Sequence, residues 1–234
     1  MSTIPSLTQI GGQLADSGTA EAIHVHTGGA GLLLGADEGG RPITVSLFRP
    51  EPTLVVVIGG LQLAQLVCFR ALALGAAVAV TSVRPSAWSS LAEVDPTAVE
   101  VFWPDARTGK YGSSLRPQLL VVDSVATATV AAIPAGQSWS TVLIVREQVA
   151  NHDVNLLGRA DLIVTQRLSL HESRLLCSAA DVTDYTQSLI ALRAESIAAI
   201  AQSRVHSARV VPTTIERHLI GHVSRAESNA QLRR

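Results

Sequence analysis

The residues that invite a chemical reading form a turn, Gly59-Gly60-Leu61-Gln62-Leu63-Ala64, set between the β-branched run Leu54–Ile58 and a helical stripe that begins at Leu61. A strand, a glycine turn and a helix together make the usual frame of a phosphate pocket, because the helix start presents unpaired N–H groups. Three polar side chains join the candidate set: Gln62 in the turn, Asp123 closing "QLLVVDS" and Gln166 closing "LIVTQ". With Gly59 and Gly60 they all fall at C-terminal ends of expected strands, where open α/β sheets place their ligands. These five are the candidate ligand-binding residues; no catalytic set, metal-ligand set or cofactor is assigned.

The turn fails both common phosphate tests. A dinucleotide turn needs G-x-G-x-x-G or A, its second glycine letting the pyrophosphate approach the backbone. Here that position is Leu61, whose branched side chain is expected over the phosphate position. No acid follows the next strand before Glu93; Arg84 is the one candidate there for a 2′-phosphate. A phosphate-binding loop of the G-x-x-x-x-G-K-[ST] type needs a second glycine, a lysine and a hydroxyl. The six residues after Gly60, Leu61 to Leu66, supply none of these. The pair Gly109-Lys110 lies in a polar loop at the wrong place in the order of elements. Without such a loop, Asp123 reads as a cap of a strand end or of the next helix rather than as a Mg²⁺ ligand.

Other constellations are weaker. His24 and His26 have no acid or cysteine nearby to complete a metal site, and His218 and His222, four apart on an expected helix, lack the adjacent glutamate of H-E-x-x-H. No G-x-S-x-G elbow anchors serine chemistry. Trp88, Trp103 and Trp139 are expected around the C-terminal edge of the sheet, as core caps or as a contact surface. Cys68 and Cys177 sit in apolar helical patterns and read as buried thiols.

The elements that must position these residues follow from pattern. The chain has 234 residues and a net charge of −1, with 47% apolar but 3% aromatic residues. Such a core of Ala, Val and Leu suits helices packed on a parallel sheet, and the charge balance gives no general pull toward nucleic acid. Strands are expected at Leu54–Ile58, Ala77–Thr81, Ala98–Trp103, Gln118–Asp123, Thr141–Val145 and residues 161–165. Helices are expected at Leu61–Leu74, capped by Gly75, and at Ser86–Glu93, 148–157, Leu168–Ala179 and Thr183–Ala194. A further capped helix should start near Pro212 or Thr213. Two hairpins, Gly31–Leu34 with Ile43–Phe48 and Ser196–Ala201 with Val205–Val211, should extend or flank the sheet. The resulting fold class is α/β: a doubly wound, mostly parallel sheet, Rossmann-like or degenerate P-loop-like, with flanking β-hairpins. The organisation reads as a flexible arm over 1–22, one α/β domain over 23–222 and a flexible tail over 223–234. The apolar stretch Leu54–Val80 is interrupted by Gln62, Gln65 and Arg70 and reads as a buried βαβ unit, not a membrane span.

The segment "GLLLGADEGGRPITVSLFRPEPTLVVVIGG" resembles the opening of FtsK-type ATPase domains, with Gly35, Asp37, Gly40, Pro42 and Leu47 followed by Pro52 to Gly60 at matching places. "GRADLIVTQRLSLHESRLL", Gly158 to Leu176, is similar to a later part of that family. The likeness over residues 30–222, with the closing "VVPTTIERHLIG", extends to small soluble proteins of actinobacterial type VII (ESX) secretion loci. An arginine bias agrees with such a GC-rich source: Lys and Arg number 18, and Lys110 is the one lysine. The resemblance implies a pseudo-ATPase, since the phosphate loop and the acid pair are missing. It implies a cytoplasmic accessory or scaffold, peripheral to a membrane complex, that acts through contacts with secretion-machinery proteins or their ATPase, with a homodimer as one form. The alternative is a nucleotide- or small-ligand-binding Rossmann-like protein, or an enzyme, with an atypical phosphate loop.

Overall fold

A computed structural model describes residues 31–103, 112–123, 138–223 and 225. The arm over 1–22, His24, His26, the Gly109-Lys110 pair and most of the tail lie outside the described residues.

Among the described residues, ten strands form one sheet in the order β2-β1-β10-β9-β8-β3-β7-β6-β4-β5. Its parallel part comprises β3 (Thr53–Ile58), β4 (Ala77–Ser82), β5 (Val99–Phe102), β6 (Gln118–Asp123), β7 (Ser140–Arg146) and β8 (Leu162–Thr165). The antiparallel part is two hairpins, β1 (Leu32–Ala36) with β2 (Pro42–Val45), and β9 (Ser196–Ala201) with β10 (Arg204–Arg209). The second joins β8, the first joins the second through Ala36 and Arg209, and together they extend the sheet as expected. The β9–β10 turn is two residues long, Gln202 and Ser203, both at positive φ (51° and 55°). That geometry matches the right-handed twist of the flanking strands.

Every residue of β3 is buried, and successive side chains enter opposite cores. Val55 and Val57 pack with α1 (Leu61–Ala73), with α2 (Ser89–Val94) and with Ile220 of α6 (Thr214–Ile220). Leu54, Val56 and Ile58 pack on the other face with α3 (Val154–Leu157), α4 (Leu170–Ala179) and α5 (Thr186–Ile190). The continuous apolar run in the sequence is therefore the signature of a strand covered on both sides.

Helix α1 buries Leu63, Leu66, Val67, Cys68 and Ala71. Leu74, expected in the same stripe, falls beyond the last turn and is 40% exposed. The chain turns out at Gly75 (φ 80°), as its cap position requires. Arg70 ties this helix to α6 through Glu216 (2.7 Å) and to the carbonyl of Leu33 on β1 (2.8 Å). Thr213 and Glu216 form the capping box that starts α6.

Several expectations differ, and the helix over Ser86–Glu93 is one of them, since it is a 3₁₀ turn, Pro85–Trp88, followed by α2. The helix over 148–157 is reduced to a 3₁₀ turn, Asn151–Asp153, running into α3, because Asp153 is drawn into a box with Ala150 N–H and a pair with Arg146. The helix over Thr183–Ala194 is a 3₁₀ turn, Thr183–Tyr185, followed by α5 alone. His222 lies past Gly221 (φ 82°), so it does not share a helix face with His218. Both cysteines are buried, and burial pushes the Cys68 thiol pKa up. No described helix is long and apolar enough to cross a membrane.

Candidate functional site

Gly59 leaves β3 at φ 149°, a backbone state that side chains disfavour, and its N–H donates to the carbonyl of Arg146 on β7 (2.9 Å). Gly60 follows as the N-cap of α1 with extended backbone and no side-chain cap. Its N–H donates instead to Oε1 of Gln166 (2.9 Å). Gln166 is anchored by its own N–H on Ile58 O (3.0 Å) and is 2% exposed. A Cβ at Gly59 would collide with this carboxamide. The far end of the amide is held too, since Nε2 donates to Val223 O (3.3 Å).

The group lying on the turn is thus Gln166. The sequence placed Leu61 there; Leu61 is instead half-buried against the core on the α1 face of the sheet. Leu61 lies three residues before buried Ala64 on α1 and so shares its core-facing side. Gln62 is half-buried on the first turn of α1.

Asp123 is not beside the turn, because β7 lies between β3 and β6. It is 4% exposed and fully engaged. Oδ2 accepts from Ser82 Oγ (2.8 Å), Arg84 Nε (3.0 Å) and Trp88 Nε1 (2.8 Å), and Oδ1 accepts from Arg84 Nη2 (3.0 Å). The remaining end of Arg84 donates to Glu147 Oε1 (2.7 Å). Burial raises the Asp123 pKa, but the hydrogen bonds from Arg84, Trp88 and Ser82 outweigh it and hold the carboxyl below its usual range. Arg84, considered above for a 2′-phosphate, is therefore committed to two carboxylates.

The structure brings Gly59, Gly60 and Gln166 together, keeps Gln62 at the adjoining helix start and sets Asp123 in a separate charged cluster. Sequence reasoning did not find Trp88 as the partner of Asp123, nor Arg146 and Arg225 as organisers of this edge. Arg146 pairs with buried Asp153 (2.8 Å). Arg225 donates to Arg167 O (2.7 Å) and Glu147 O (2.8 Å) and pairs with Glu172. Val223 and Arg225 lie beyond the boundary drawn at residue 222, yet both contact the domain. Glu172 closes a capping box with Ser169 at the start of α4 and also receives an arginine from the tail, a contact with no local signal in the sequence. The tryptophans separate: Trp88 is fully buried and Trp103 is 63% exposed. Trp139 precedes β7 and bonds Arg49 O and Gln118 N, so it stands at the N-terminal edge, opposite to expectation.

No known sequence family matches the chain. No curated protein matches it either. Solved structures do. The genome packaging NTPase B204 from Sulfolobus turreted icosahedral virus 2, in complex with AMPPCP, superposes with a TM-score of 0.53 at 13% identity, covering 70% of this chain and 100% of that one. VirB4 of Thermoanaerobacter pseudethanolicus gives 0.54 at 7% identity, over 80% of this chain and 98% of that one. The cytoplasmic domain of the Thermomonospora curvata type VII secretion ATPase EccC gives 0.52 at 14% identity, over 83% of this chain but 31% of that one. The fold is accordingly that of the ATPase domains found in packaging and secretion systems.

Proposed function

We propose that this chain is a non-catalytic, ATPase-like α/β domain that serves as an accessory or scaffold component of a type VII secretion system through protein–protein contacts. The observation that carries the reading is the Gly60 N–H bonded to the buried Gln166 carboxamide, where a phosphate-binding turn would offer free donors. Two further features support it. The turn has no lysine or hydroxyl, and Asp123, the one carboxylate among the candidate residues, already accepts four protein donors. The secretion role draws its support from the likeness to EccC and VirB4 together with the sequence resemblance. On this reading the protein acts at the cytoplasmic side of a membrane complex.

The test is thermal unfolding against ATP, GTP, NAD, NADP and FAD, with and without Mg²⁺, alongside an ATP hydrolysis assay. No shift and no turnover are expected. A rise of several degrees would replace this reading with the ligand-binding alternative at Gly59, Gly60, Gln62, Asp123 and Gln166, because tight binding stabilises the fold by mass action. The partner half of the proposal is tested by mixing the chain with the cytoplasmic domain of a type VII secretion ATPase. Co-elution is expected, and independent elution at tens of micromolar would count against it.

A further inference from the structure

The C-terminal residues make a second kind of contact with the sheet edge. The Arg225 guanidinium reaches three acceptors from three elements: Glu147 O after β7, Arg167 O after β8, and the Glu172 carboxylate on the first turn of α4. Its side chain is 17% exposed, against 84% for Arg41 and 38% for Arg49, whose ion pairs lie on the surface. Glu172, 11% exposed, is itself fixed by the N–H groups of Val149 (3.1 Å) and Ser169 (2.9 Å). A planar guanidinium held by two carbonyls and a fixed carboxylate is a geometry that lysine does not reproduce. Two residues earlier, Val223 packs on the α1-face core and accepts the Gln166 amide at its carbonyl.

We propose that Val223 and Arg225 occupy, in cis, a built peptide-receptor groove on the C-terminal sheet edge. The groove reads an arginine and an apolar residue two positions before it. Its occupation holds Gln166, and through Gln166 the Gly59–Gly60 turn, in the closed state. The link is continuous: Arg225 fixes the strap, Val223 O orients the Gln166 amide, and Gln166 Oε1 takes the Gly60 N–H. This inference concerns how the turn is held shut and stands whether or not a secretion partner exists.

The test uses the full chain with Arg225→Ala and Arg225→Lys. Residue-resolved amide exchange should show the Gly60 N–H exchanging at least tenfold faster in R225A and by an intermediate factor in R225K, with β4 and β6 unchanged. A labelled Gly-His-Val-Ser-Arg-Ala-Glu peptide should bind R225A at least tenfold more tightly than the wild type, whose groove is filled. Replacing the peptide's arginine with alanine should abolish that binding. Unchanged Gly60 exchange in both variants, or equal peptide binding to R225A and wild type, would overturn the proposal. Wild-type Gly60 protection that depends on protein concentration would overturn the cis arrangement, since it would mean tails exchanged between copies.

Discussion

Two places on the C-terminal edge of the sheet are closed by different chemistry. At the turn after β3 the closure is neutral: a backbone N–H, a carboxamide and a backbone carbonyl in series. At the end of β6 it is charged: one carboxylate gathers a guanidinium, an indole N–H and a hydroxyl. Both leave their polar groups satisfied, and no buried side-chain polar atom among the described residues lacks a partner. They should nonetheless respond differently to mutation and pH. A neutral amide loses a modest hydrogen bond when removed. A buried carboxylate with several donors leaves all of them stranded.

The largest expected effect tests the charged closure through its packing. Trp88 is fully buried and donates to Asp123. Trp88→Ala should cost about 3–5 kcal/mol in urea unfolding, from the lost ring volume and the lost donor together. Asp123→Ala should follow at about 3 kcal/mol near neutral pH, because Ser82, Trp88 and Arg84 lose their shared acceptor. A cost below that of Gln166→Ala would refute the ranking of charged over neutral closure.

The neutral closure should give smaller numbers. Gly59→Ala combines an unfavourable φ with a collision against Gln166 and is expected to cost about 2 kcal/mol. Gln166→Ala should cost about 1–2 kcal/mol, from the unpaired Gly60 N–H and the freed Val223 carbonyl. In a double-mutant cycle the two should be less than additive, since truncating Gln166 removes the collision that an alanine at position 59 creates. Strict additivity would show that the strain at Gly59 is backbone alone.

pH separates the two sites most cleanly. Asp123 titrates below its ordinary value of 3.8 in the folded state, so its contribution is present above that value and disappears as pH falls through the lower folded one. Glu172 and Glu216 add to the same acid limb: burial raises both, but Arg225 and Ser169 at the first, and Arg70 and Thr213 at the second, bring them below 4.5. The cost of Asp123→Ala, measured by denaturant unfolding from pH 7 down to pH 2, should therefore shrink through the acid range. The cost of Gln166→Ala should stay level as far as its turn is concerned.

Much of the frame was legible because periodicity reports burial directly. "TLVVVI" allowed a strand covered on both faces and little else, and the capped helix expected near Pro212 or Thr213 begins at Thr214. The candidate site was legible in part. The absence of lysine, hydroxyl and second glycine could be read from eight residues. That Gln166 closes the turn could not, because Gly60 and Gln166 are 106 positions apart and nothing local encodes their contact. Trp139 is a different case: it precedes the expected strand Thr141–Val145, so chain order already puts it at the N-terminal edge and the expectation misplaced it, whereas its bond to Arg49 O had no local signal.

The sequence by itself determined the alternation of strands and helices, the two hairpins, and the loss of the groups that bind phosphate, since each is a property of residue type and short-range spacing. Only the tertiary structure decided the strand order, which inserts β7 between the turn and Asp123, and the identities of the groups that close each site. Those depend on which chain ends meet across the sheet. Hydrogen bonds between residues tens to a hundred positions apart are selected by packing of the whole core, not by the residues that make them.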